Sequence, residues 1–101
     1  MQTETISPNS ITPGYLDALK QAKLLTRDDA ANIAKLTKQL AIRKGKGYGA
    51  EQVRNFLYRQ YITTPQMIET ITRYYEEKKL RKELAAHRQK EFINRLKNET
   101  L

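Results

Sequence analysis

The chain reads as an all-α protein, a small bundle of short helices followed by a long charged C-terminal helix. Three observations predict this. Between turn signals, apolar residues recur at helical spacing. Two helix-start signatures, Thr12-Pro13 and Thr63-Thr64-Pro65, punctuate the sequence. Strand signals are weak, and the one short β-branched run, Tyr61 to Thr64, is better explained as a loop plus a cap.

Each element has its own justification. The opening stretch, MQTETISPNS, is polar, and residues 1–11 are expected to form a disordered tail. A first helix follows the Thr12 cap and runs through Tyr15, Leu16 and Leu19 to about Ala22. A second begins at Thr26, with Asp29 in a capping-box-like position, and carries Ala30, Ile33, Leu36, Leu40 and Ala41 as its apolar line. It is expected to end before Gly45, with that glycine as C-cap. A third starts at Gly49 or Ala50 and buries Val53, Phe56 and Leu57, leaving Arg54, Tyr58 and Arg59 off the stripe. For the fourth, Thr63 as cap lets Gln66 complete a capping box and Ile62 and Met67 form a hydrophobic staple. Ile68, Ile71, Tyr74 and Tyr75 continue its core-facing side.

Residues 12–78 make the helical domain, and 79–101 a charged helical extension. Leu80, Leu84, Phe92 and Leu96 form a sparse apolar line there, and opposite charges such as Glu77 and Arg81 stand at i, i+4. No proline or glycine follows Pro65, so one helix can reach about Lys97, either breaking near Lys78–Arg81 or projecting toward a partner.

Composition narrows the function. A chain of 101 residues with 39% hydrophobic and 30% charged side chains supports one modest core. No apolar run approaches the ~20 residues that span a bilayer, and the N-terminus lacks the features of a signal peptide. With no cysteine, disulfides and thiolate metal sites are excluded. The expectation is a cytoplasmic protein with no membrane partner. His87, the one histidine, lies in a charged helix without an evident acid or nucleophile, and Asp28 and Asp29 read as first-turn dipole partners. No enzyme activity, small-molecule substrate, cofactor or metal is expected.

Charge is concentrated. Residues 1–33 carry a net −1, residues 34–60 a net +6 and residues 61–101 a net +3, within a total of +8. The middle segment holds IRKGKGYGAEQVRNFLYRQYI, Ile42 to Ile62, where a basic cluster meets three glycines. Lys35, Lys38, Arg43, Lys44, Lys46, Tyr48, Arg54 and Arg59 are the candidate contacts to nucleic acid or an acidic protein face. Each has a structural alternative. Cations at a helix C-terminus favour its dipole, Tyr48 can pack over a helix crossing rather than stack on a base, and Arg54 and Arg59 can pair with Asp28 or Glu51. The second and third helices, joined by a turn of about five residues, also resemble a helix-turn-helix that would expose Gln52, Asn55 and Arg59 to base edges.

The pattern Leu25-Thr26-x-x-Asp29, a helix, then Gly45-Lys46-Gly47-Tyr48-Gly49, Val53-Arg54-x-x-Leu57 and Ile62, then another helix, resembles the RecX family. Those are small bacterial proteins of tandem three-helix repeats that modulate RecA filaments. Leu24 to about Tyr75 would be one repeat, the first helix would match the close of a preceding repeat, and the C-terminal helix could open another. Ala50 stands where the family usually has proline, and Gln52 where it has arginine. The resemblance implies a regulatory module that binds a recombinase filament or its DNA. Other readings are a phage- or plasmid-type DNA-binding regulator, and a helical adaptor or oligomer pairing through its C-terminal helix.

Overall fold

The computed structural model describes residues 9–99. Among them lie four α-helices and no strand: α1 (Pro13–Gln21), α2 (Asp29–Gln39), α3 (Ala50–Tyr58) and α4 (Pro65–Glu99). The fold is all-α, a small bundle with a long C-terminal helix.

Two helices start by the same device. Thr12 Oγ1 accepts the Tyr15 N–H at 3.1 Å, and Thr64 Oγ1 accepts the Met67 N–H at 3.1 Å. In both, a proline follows the cap, where its missing N–H would have had no partner. The cap of α4 is therefore Thr64, one residue later than expected. Thr63 lies outside the helix, and its N–H donates to the Asn9 carbonyl at 2.8 Å. The expected staple is absent too, because Ile62 is 73% exposed. Ile11 instead joins Met67 in the core. Of the tail expected over residues 1–11, the part up to residue 8 lies outside the described residues. The rest is held, with Ile11 fully buried and Asn9 bonded to the α3–α4 connection.

Helix α2 begins at Asp29, three residues after its expected start. It also ends early, at Gln39, rather than just before Gly45. Ala41 takes the left-handed conformation (φ 57°), Ile42 N–H bonds to Thr37 O at 3.0 Å, and Ala41 N–H bonds to Lys38 O at 3.1 Å. This is a Schellman ending with alanine in the place usually held by glycine. Its cause is Ile42. Had the helix continued, that side chain would lie on the side opposite Ile33; the reversal turns it inward, where it is buried. Helix α1 ends the same way, with Lys23 left-handed (φ 58°), Leu24 N–H bonded to Leu19 O at 3.0 Å, and Leu24 buried.

Helix α2 packs against α3 and α4. Ile33, Val53, Leu57, Met67 and Ile71 form the fully buried centre. Leu40, placed on the apolar line of α2 by sequence, is 43% exposed because it already belongs to the reversal. Tyr15 reaches across from α1, its hydroxyl 2.9 Å from Thr72 Oγ1. Lys82 of α4 donates to the Ala22 and Lys23 carbonyls at 3.3 and 3.4 Å, placing a cation at the negative end of α1.

Helix α4 runs unbroken through Lys78–Arg81, and every residue from 79 to 99 is exposed. Glu77 and Arg81 do not close the anticipated ion pair; farther out, His87 Nε2 stands 3.6 Å from Glu91 Oε1. The protein is elongated, with extents of 61 × 38 × 19 Å.

Candidate functional site

The connection between α2 and α3 occupies residues 40–49, longer than the turn of about five residues expected. Arg43 and Lys44 both have φ 57°, followed by Gly45 at φ 92° and Gly47 at φ 66°. The left-handed region costs a non-glycine residue roughly 1–2 kcal/mol. Local hydrogen bonds hold the conformation: Gly45 N–H to Ala41 O at 3.1 Å, Lys46 N–H to Arg43 O at 3.2 Å and Gly47 N–H to Ile42 O at 2.8 Å. Buried Ile42 anchors one side of the loop. Thr37, buried on α2, anchors the other, accepting the Tyr48 N–H at 2.8 Å while its hydroxyl donates to Ala34 O at 2.7 Å.

Glycine is required at position 47. A Cβ there would lie 2.6 Å from Lys38 Cγ, 2.9 Å from Thr37 Oγ1 and 3.0 Å from the Lys38 backbone nitrogen. Tyr48 packs its ring edge-on against Phe56, centroids 5.1 Å apart, and carries the Arg43 guanidinium 4.9 Å above its centre. Tyr48 is thus the pedestal of a cation, as much a packing residue as a surface one.

The structure brings together part of the predicted set. Arg43, Lys44 and Lys46 line a shallow concavity of about 300 Å³. Lys38 lies beside it with its stem against Gly47, and Lys35 is exposed one turn earlier on α2. Arg54 does not join this group. Its guanidinium bonds Glu51 at 3.1 Å on the exposed side of α3. Arg59 caps the opposite end of α3, about 15 Å along the axis from Gly49. Of the side chains that a helix-turn-helix would expose to base edges, Gln52 is already engaged. The Gln52 side chain accepts the Gly49 N–H at 2.9 Å, capping α3 instead of presenting itself for base contact.

No family model, curated protein or solved structure matches this chain.

A second polar cluster was not foreseen from sequence. Asp29 is fully buried. Its Oδ1 accepts from Thr26 Oγ1 at 2.8 Å, Tyr74 OH at 2.9 Å and Lys78 Nζ at 2.6 Å. Its Oδ2 accepts from the Thr26 N–H at 2.8 Å and Tyr75 OH at 2.9 Å. Burial opposes ionisation, but Lys78, Thr26 and Tyr75 together outweigh it and hold this carboxyl below its ordinary value. Tyr75 shifts the other way: burial and its hydrogen bond to Asp29 raise the phenol far above the usual range. The Thr26–Asp29 spacing was legible, and it forms, but as a side-chain latch between the start of α2 and the middle of α4. The available signal was an aspartate one turn before Ile33, on the face that carries the core.

Proposed function

We propose that this chain is a non-catalytic regulatory module that binds an anionic polymer through the loop between α2 and α3. Following the RecX resemblance, that polymer is the DNA of a recombinase filament. The observation supporting the reading is the trio Arg43, Lys44 and Lys46, gathered around one concavity by a left-handed backbone. A helix terminus needs no such arrangement. Strain of this kind persists where the surrounding structure over-determines it, and it concentrates at functional sites. Lys38 and Lys35 extend the cationic surface along α2.

The test is fluorescence anisotropy with labelled single- and double-stranded oligonucleotides, bare and coated with recombinase. Neutralising three phosphates predicts an affinity loss of about 40-fold on duplex and about 20-fold on single strands between roughly 50 and 200 mM salt. Replacing Arg43, Lys44 and Lys46 with glutamate should abolish binding and this salt dependence while circular dichroism stays unchanged. A folded triple variant that retains its affinity would refute the proposal. Binding to coated but not bare DNA would assign the contact to the filament.

A further inference from the structure

The face of α4 that enters the core continues past it. Met67, Ile71 and Tyr75 are buried, and Lys78 and Lys82 follow on the same side, reaching Asp29 and the end of α1. Ala85, Gln89, Phe92 and Leu96 then carry the same three- and four-residue spacing into the projecting half. There Phe92, Ile93 and Leu96 are 55%, 43% and 45% exposed.

Placed in a heptad frame, Lys82, Gln89 and Leu96 occupy a positions and Ala85 and Phe92 d positions. Arg81, Arg88 and Arg95 then fall on successive g positions, a row of cations about 10 Å apart along one flank of the seam. Glu83 and Glu91 lie at b and c, away from it, and Glu99 takes the last d position at the end of the helix. Residues 79–99 hold seven basic side chains against three acidic.

We propose that the projecting half of α4 docks one acidic amphipathic helix of a partner protein. Phe92 and Leu96 enter the apolar seam of that helix, and Arg81, Arg88 and Arg95 face its carboxylates. Charge and shape select this occupant. A second copy would bring the same positive excess, and Lys82 and Gln89 at a positions make a poor seam for self-pairing. A nucleic-acid base can stack on Phe92, but nucleic acid has no apolar seam to receive Ile93 and Leu96. A bilayer calls for a broad apolar face, whereas this strip is one seam wide; Leu80 and Leu84, expected from sequence on one line with Phe92 and Leu96, fall at f and c, outside the seam.

The experiment uses the full chain and two fluorescein-labelled helical peptides with leucine at a and d. One carries glutamate at e and g, the other lysine. The glutamate peptide should bind the natural chain, and Phe92→Asp should weaken that binding by about tenfold or more. In the combined Arg81→Glu, Arg88→Glu, Arg95→Glu variant, preference should switch to the lysine peptide. Equal binding of both peptides by the natural chain, or undiminished binding by Phe92→Asp, would overturn the proposal. So would a dimer in sedimentation, or attachment to anionic vesicles, that Phe92→Asp abolishes.

Discussion

At Asp29 five donor groups converge on one carboxylate, from Thr26, Tyr74, Tyr75 and Lys78. Removing one partner of a buried pair leaves the others unsatisfied and commonly costs about 3–5 kcal/mol. Because the Lys78 side chain keeps 21% exposure and can turn toward water, Asp29→Asn should fall near the low end, about 3 kcal/mol in urea unfolding. The folded-state pKa of Asp29 lies below its unfolded value, so the unfolded chain takes up the proton first as pH falls. Its contribution is full above about pH 4 and disappears as pH drops through the folded value. Tyr75 works in reverse, its contribution full below about pH 10 and lost as alkali ionises the unfolded phenol. Unfolding free energy against pH should therefore decline at both ends, and Asp29→Asn should flatten the acid limb. A sequence shows that Thr26 and Asp29 are neighbours. It does not show that Lys78, far along the chain, completes their site.

Among elements, the connections carry the unusual chemistry. Lys23, Ala41 and Gln60 each place a non-glycine residue in the left-handed region just past a helix end. Ala41→Gly should raise stability by about 1 kcal/mol, measured as a shift in denaturation midpoint. Lys44→Gly should stabilise by a similar ~1 kcal/mol yet weaken polyanion binding, separating fold from function. The two turn glycines should differ. Nothing lies within 4 Å of a Cβ at Gly45, so alanine there meets only the backbone penalty, about 1 kcal/mol. At Gly47 the Thr37 and Lys38 contacts add overpacking, for a loss of roughly 3 kcal/mol. The glycine run announced a turn correctly but misplaced where α2 stops. Burial of Ile42 set that point, and burial is a property of the assembled core.

For the whole molecule, helix content and order were legible because punctuation and apolar spacing are local signals. The Thr-Pro starts place α1 and α4 to within a residue. Which cations share one surface was not, since Arg43, Lys44 and Lys46 converge through backbone dihedrals while Arg54 and Arg59 leave on α3. The most distal described contact between α4 and the body is made by Lys82. Ending the chain after Glu83 should therefore leave the melting temperature within a few degrees of the original, whereas ending it before Lys78 should destabilise it severely. Amide exchange should divide at the same place, fast beyond residue 83 and protected from Met67 to Tyr75.

The buried latch also gives the protein an optical reporter. With six tyrosines and no tryptophan, all of its ultraviolet emission is phenolic. Two of those phenols donate to a carboxylate, an arrangement that dims them by drawing off the excited-state proton. Melting should brighten the fluorescence, so a spectrometer can follow the docking of α4 without any attached dye.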